Sequence, residues 1–464
     1  MAGFRDFIRG ASRVLPEVPK PTRKPSLKER FVWTGIALAI YMVMAQVPLY
    51  GIQQSIQDRF AFARIIFASN RGTLMELGIG PIVTAGLVLQ VLKGADIIKL
   101  DFSKPEDRAI FTSGMKLFTV VVAIVQIISY ALFGAFGSVG YEVLLIIAGE
   151  LIAANFVVML LDEMIQKGWG IGSGVSLFIL AGVAQKILWD MFSPITVGGD
   201  YFGAIPYAVN TSLAGNAWDM VFRDGSYPSI FSLLLTLVVI FSIVYVEGIR
   251  VEVPITSARF RGFSAVYPIK LLYVSNIPVI LVAALLANLN FFTQLFWVRI
   301  GGMAGPYLSW LGTFEGDRLT GGLLYWITSP GTLAMTAQEP LRALTYTAFM
   351  VIFSVIFAKI WVEVGGLSPR DVAKSLIDAQ VQVPGFRRTS GPLSMMLSKY
   401  IRTVTILGGI IIGLLAALSD LLGVFGTGIG ILLMIDILIQ YYQMLVREHV
   451  EETMPRLGAL FGRG

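Results

Sequence analysis

The chain runs to 464 residues, 55% of them apolar and only 14% charged, with a mean hydropathy of +0.74 and a formal net charge of +6. That balance excludes an ordinary soluble enzyme and belongs to a protein that crosses the membrane many times. With no cysteine there is no disulfide, thiolate nucleophile or sulfur ligand, and the single histidine, His449, excludes a histidine metal cluster.

Residues 1–31 are basic and place Phe4, Phe7, Ile8, Ala11 and Leu15 at helical spacing among Arg5, Arg9 and Arg13. This predicts an amphipathic segment lying on the cytoplasmic surface of the membrane. No cleavable signal peptide is expected, because the first apolar run begins near Phe31 and lacks a small-residue cleavage pattern.

A hydrocarbon core of about 30 Å takes roughly 20 helical residues per crossing. Ten segments of that kind follow, at 32–50, 74–92, 111–134, 142–162, 171–190, 229–248, 269–290, 342–362, 402–422 and 427–446. The shorter run of Phe60, Arg64, Ile65 and Phe67 is interrupted by its arginine and cannot span.

The second segment carries Gly78-Ile79-Gly80-Pro81-Ile82-Val83-Thr84-Ala85-Gly86 in its interior. Three glycines and a proline weaken a helix, and in lipid they survive where neighbouring protein re-satisfies the backbone or where the segment lines a cavity. This span is expected to face protein.

Five spans lie on each side of the 191–228 loop, and an odd number per half turns the halves over relative to one another. The predicted fold is therefore an all-α polytopic membrane protein, with an N-terminal half at 32–228, a C-terminal half at 229–446 and a tail at 447–464. Placing both termini in the cytoplasm puts 27 of the 36 lysines and arginines on that side and 7 on the other.

Two basic loops stand out, 249–270 with Arg250, Arg259, Arg261 and Lys270, and 363–401 with Arg370, Lys374, Arg387, Arg388 and Lys399. Positive-inside topology accounts for them; docking of a large anionic partner such as ribosomal RNA is the sharper alternative. Residues 291–340 exceed an ordinary connection and are expected to fold back with short helical pieces.

Two further glycine-rich strings, residues 170–174 and 426–430, open the fifth and tenth spans. A nucleotide fingerprint would need a strand before each, so they read as close-packing or unwinding points. Val175 and Ile179 follow the first string one helical turn apart, as do Ile79 and Val83 in the second span, a spacing that ordinary core also shows. Lys116, Glu150, Lys186, Glu247, Lys359 and Asp436 fall inside or at the ends of spans; Asp436 lies deepest and has no partner evident from sequence.

The string from Thr73 to Gln90 (TLMELGIGPIVTAGLVLQ), the strings Pro268-Ile269-Lys270 and Ser275-Asn276-Ile277-Pro278-Val279-Ile280, and Pro384-Gly385-Phe386-Arg387 resemble the SecY family of protein-conducting channels, archaeal type, over essentially the whole chain. The resemblance implies an hourglass pore closed by six aliphatic side chains, here Ile79, Val83, Val175, Ile179, Ile280 and Leu433. It implies a plug near 57–70 containing Phe60, Arg64, Ile65 and Phe67, and a lateral gate with Thr84, Gln126 and Asn288 at its polar positions.

The resemblance further implies ribosome contacts at Arg259, Arg261 and Arg387. A small SecE-type clamp subunit, a peripheral third translocon subunit, signal sequences, nascent polypeptides and membrane lipids are the expected partners, and the plasma membrane the expected location, with no cofactor and no enzymatic activity. An ion-coupled transporter would share inverted halves and broken helices but needs convergent polar groups at midplane, where this reading places aliphatic ones. An intramembrane hydrolase would have to pair carboxylates such as Glu150 and Asp436, which no motif brings together.

Overall fold

The computed structural model describes residues 15–23, 25–52, 68–94, 105–132, 139–197, 199–213, 227–257, 264–275, 277–315, 318–378, 381–382 and 390–453, with a few isolated positions between these ranges. Ten long helices form its body: α1 (Leu27–Met44), α2 (Gly80–Gly94), α3 (Pro105–Leu132), α4 (Tyr141–Met164), α5 (Gly174–Phe192), α6 (Ile230–Gly248), α7 (Ile277–Leu308), α8 (Pro340–Val364), α9 (Ser390–Leu421) and α10 (Gly428–Thr453). Eight of these regions are long and apolar enough to cross a membrane. The other two are α1, which opens on Lys28-Glu29-Arg30, and α2, which has only 15 residues.

Local chemistry sets where these helices begin. Ser26 caps α1 by accepting the Glu29 amide at 3.3 Å while the Glu29 carboxylate accepts the Ser26 amide at 2.9 Å, a reciprocal capping box. Ser229 caps α6 through the Ser232 amide at 3.1 Å, and Pro340 stands at the start of α8, where its missing N–H has no partner to lose.

Several boundaries differ from the sequence reading; the helix carrying the ninth span begins at Ser390 rather than 402, and the first ends at Met44 rather than 50. The sequence places the second span at 74–92, but turns occupy residues 71–79 and α2 begins at Gly80, so the glycine string straddles the helix start, with Gly78 in the turn, Gly80-Pro81 opening the helix and Gly86 within it. The seventh was placed from 269; residues 264–270 form a strand, and α7 begins at Ile277. α7 then continues to Leu308, taking up the first part of the predicted 291–340 connection. The rest of that stretch holds a hairpin and two short helices, Leu323–Ile327 and Leu333–Gln338.

Strands are confined to the connections. β1 (Thr196–Val197) and β2 (Asp200–Tyr201) pair between α5 and α6, and β3 (Arg250–Ser257) pairs antiparallel with β4 (Ser264–Lys270) between α6 and α7. β5 (Thr313–Glu315) and β6 (Arg318–Gly321) form the later hairpin, and β7 (Val381–Gln382) adds to the free edge of β3. The two basic loops thus share one sheet of order β4-β3-β7, with a short helix, Pro369–Asp378, beside it.

Packing follows membrane rules. Lipid gives little drive to pair apolar surfaces, so close approach of backbones matters. Gly409 and Gly413, four apart on α9, let it lie against α8 so closely that a Cβ at either would stand 3.0 or 2.9 Å from the Cα of Val355 or Val351. Large apolar side chains such as Val238, Phe241 and Leu344 stay exposed on the outer surface, where hydrocarbon replaces a core. The main buried cluster draws on both halves of the chain.

Candidate functional site

Four helices converge on the middle of the molecule, the second and the fifth of each half. Ile79 stands just before α2 and Val83 in its first turn; Val175 and Ile179 open α5; Ile280 lies in the first turn of α7 and Leu433 in the second turn of α10. Ile79, Ile179 and Leu433 are buried at 0, 2 and 1% exposure within the main cluster. Val83, Val175 and Ile280 are partly buried and pack against the same cluster. The six positions named from sequence therefore all belong to, or pack against, one large apolar cluster.

Two buried carboxylates hold the first turns of α5 and α10. A single π turn, Ile165–Trp169, ends α4, and one turn before it Asp162 accepts the Val175 amide at 3.0 Å and the Gln166 side-chain amide at 2.8 Å. Near the end of α9, Asp420 accepts the Gly428 amide at 2.6 Å and the Tyr346 hydroxyl, from α8, at 2.6 Å. Each carboxylate satisfies amides that a helix start leaves without partners, and the anion suits the positive end of the helix dipole.

The glycine strings permit these close contacts. A Cβ at Gly174 would lie 2.6 Å from the Asp162 Cα, and one at Gly428 would lie 2.3 Å from the Ser419 Cβ. The corners are also joined reciprocally: Tyr441 of α10 donates to the Ser173 carbonyl at 3.2 Å, and the Gly426 amide donates to Asp190 of α5. Sequence reading missed both aspartates. A usable signal was present, since each precedes a Gly-x-Gly string that opens an apolar helix.

Between the halves, α2 meets α7. The Asn288 side-chain amide donates to the Thr84 hydroxyl at 3.1 Å and to the Ala284 carbonyl at 2.7 Å, while the Thr84 hydroxyl approaches the Asn288 side-chain oxygen at 3.4 Å. Two of the three gate positions named from sequence are thus directly bonded across the seam. Gln126, buried on α3, is not among the hydrogen-bonding partners of that pair.

Five of the six charges left open by the sequence find partners. Lys116 pairs with Glu163, Lys186 with Asp190 at 2.7 Å, and Lys270 with Glu247 at 3.1 Å. Glu150 accepts the Tyr50 amide at 3.0 Å, and Asp436 accepts Ser275 and Gln440 at 2.6 Å each, so the imagined Glu150–Asp436 dyad is two separate sites. Lys359 is exposed towards the end of α8. Phe60, Arg64, Ile65 and Phe67 of the expected plug, Arg259, Arg261 and Arg387 of the basic loops, and Phe4, Phe7, Ile8 and Ala11 of the N-terminal segment lie outside the described residues.

Two inverted five-helix halves that meet on an aliphatic centre, with a polar seam along one side, define a membrane channel built around its own midline. The SecY family profile matches residues 73–442, and the profile of the plug domain of Sec61p matches residues 40–72. The chain is 42% identical to the protein translocase subunit SecY of Pyrococcus furiosus over 99% of its own length and 100% of the relative's. It is 39% identical to the Sec61 subunit alpha of Dictyostelium discoideum, again over 99% of this chain and 100% of the other.

Among solved structures, a protein-conducting channel superposes with a TM-score of 0.83 at 34% identity, covering 96% of this chain and 98% of that one. Sec61 from a canine ribosome-channel complex superposes at 0.81, with the same identity and coverage. The chain belongs to the SecY family.

Proposed function

We propose that this chain is the pore-forming subunit of a Sec translocon, passing unfolded secretory polypeptides across the membrane and releasing signal-anchor or transmembrane segments sideways into it. The observation that carries the reading is the convergence of Ile79, Val83, Val175, Ile179, Ile280 and Leu433 on one cluster from paired helices of the two halves. A constriction of aliphatic side chains dewets and offers no oxygen to replace an ion's hydration shell, so it blocks leakage. The same side chains form no hydrogen bonds with a passing polypeptide and so impose no sequence requirement on it.

In this reading the seam of Thr84 and Asn288 is the lateral gate, with Gln126 at its edge, and residues 57–70 form the plug over the aliphatic ring. Interhelical hydrogen bonds in membranes average about 0.6 kcal/mol, and each leucine entering lipid contributes roughly as much. A signal segment with a handful of leucines outweighs such a latch.

Arg259, Arg261 and Arg387 are the proposed ribosome contacts. The sheet supports this, because Ser257, which leads into 258–263, pairs with Val381, and Gln382, which leads into 383–389, pairs with Thr256. The roots of both basic loops therefore lie side by side on paired strands of one sheet, although antiparallel pairing sends the chain away from them in opposite directions. A SecE-type clamp subunit, a peripheral third subunit, the plasma membrane and cytoplasmic termini complete the proposal; for the termini the support is the basic bias of the face that bears them.

Crosslinking tests it directly. An arrested secretory nascent chain is expected to react with photoprobes at positions 79, 83 and 280 and not with probes at the lipid-facing positions 238 and 241. Equal labelling at all five sites, or none at the first three, would remove the polypeptide pathway.

A further inference from the structure

Beyond the polar pair, one side chain of the C-terminal half is buried in a cluster that otherwise belongs to the N-terminal half. Phe291, three residues past Asn288 on α7, is 6% exposed. It packs in a cluster with Ile127 and Tyr130 of α3 and Leu151 of α4. Its ring centroid lies 5.0 Å from that of Tyr130 at a tilt of 47°, and 5.2 Å from that of the neighbouring Phe292. The same cluster takes in Leu49 and Leu77, with Ile52 packed against it, residues that bracket the 53–67 segment on both sides.

We propose that Phe291 is a second latch on the seam, aromatic rather than polar, and that it sets jointly with the Asn288–Thr84 pair how hydrophobic a segment must be to part the two halves. The proposal rests on the reading that this seam opens. Parting α7 from α2 and α3 must pull Phe291 out of its cluster as well as break the hydrogen bond one turn away.

The two latches respond differently to an incoming segment. Lipid tails and apolar side chains are equivalent solvents for an aromatic ring, so what Phe291 loses on leaving is its close packing and its ring geometry with Tyr130. An apolar helix entering the seam can restore much of that packing. It cannot restore a hydrogen bond to Asn288. The aromatic latch therefore yields to hydrophobicity itself, while the polar latch opposes it.

The test uses the whole chain in its native membrane complex, with a series of signal sequences graded from alanine to leucine. Phe291→Ala is expected to lower the translocation threshold by about one to two leucines, the scale of an aromatic pair set against leucine insertion. Phe291→Leu, which keeps apolar volume and removes the ring, should give a smaller shift in the same direction, as should Tyr130→Leu. Combined with Asn288→Leu, the Phe291→Ala shift should add. The ion conductance of resting vesicles should rise in Phe291→Ala and stay at parental level in Asn288→Leu.

An unchanged threshold in Phe291→Ala and Phe291→Leu, beside a shifted one in Asn288→Leu, overturns the aromatic latch and leaves the gate in place. No shift in any of these variants removes the gate, and the latch with it. If Phe291→Ala accumulates poorly, Phe291→Leu and Tyr130→Leu decide the matter, since both keep the cluster apolar.

Discussion

The corner between α4 and α5 and the corner between α9 and α10 do the same job on opposite faces of the membrane. In each, an aspartate at the end of the fourth helix of a half accepts amides from the first turn of the fifth, and a glycine allows the close approach. The first turns held in this way carry or directly precede Val175, Ile179 and Leu433, so three of the six proposed ring positions inherit their placement from the two carboxylates.

Their reinforcement differs. Asp420 is bonded to the hydroxyl of Tyr346, itself fully buried on a third helix. Asp162 relies on Gln166 from its own helix, and its corner is strapped from outside by the N-terminal segment. Lys167 binds Glu17 at 2.6 Å, the Trp169 indole donates to the Pro19 carbonyl at 2.8 Å, and Arg30 donates to the Gly170 carbonyl at 3.0 Å. One corner is fixed by the core; the other is tied at the surface.

The largest expected effects come from the shared element. Gly174→Ala and Gly428→Ala each push a Cβ into atoms at 2.6 and 2.3 Å, and each should cost about 3 kcal/mol, the upper part of the overpacking range. Thermal unfolding of the purified complex measures this. A loss at one glycine without the other would break the equivalence of the corners.

Next in size is the contrast between the aspartates. Asp420→Ala leaves the Tyr346 hydroxyl and the Gly428 amide buried without partners, at about 1 to 3 kcal/mol each. Asp162→Ala should cost about half as much, because the Gln166 side-chain amide that loses its acceptor there is exposed and can turn to water. Tyr346→Phe, which removes one hydroxyl, should lie near 1 kcal/mol. Equal losses for the two aspartates would mean that Tyr346 contributes nothing to the difference.

This contrast also shows what a sequence can disclose. Ten helices and two halves were legible because hydropathy and glycine strings are local patterns, and the six proposed ring positions could be named because Ile79, Val83 and their partners sit in motifs that resemble a family. Thr84 and Asn288 were legible for the same reason. The helix starts at Gly80 and Ile277 were not, since the apolar residues within 74–79 and 269–275 lead straight towards the helices and only the fold shows that they turn or pair as strand. Tyr346 and Phe291 were hidden because their meaning lies in partners that are distant in sequence: Tyr346 and Asp420 are 74 positions apart.

The smallest effect separates the surface strap from the buried one by pH. Lys167 donates a hydrogen bond to Glu17 and adds its charge, with a lesser contribution from Lys116, so the Glu17 carboxyl sits below its ordinary value of 4.5. A lowered value in the folded state means that the strap's contribution is complete above pH 4.5 and is lost as pH falls through the lowered value. Glu17 is largely exposed, and exposed pairs contribute little to global stability, so the readout is local. Hydrogen exchange in residues 15–23 is expected to be flat from pH 7 to 5, once corrected for intrinsic rates, and to accelerate below that. Glu17→Gln should show the faster rate at every pH. Glu339 on the opposite face is lowered in the same way by Tyr325 and Arg342, and its neighbourhood should keep its own acid response in that variant. If Glu17→Gln instead changed exchange around Glu339 or Asp420, the two corners would be coupled, and the difference between a surface tie and a core tie would have to be abandoned.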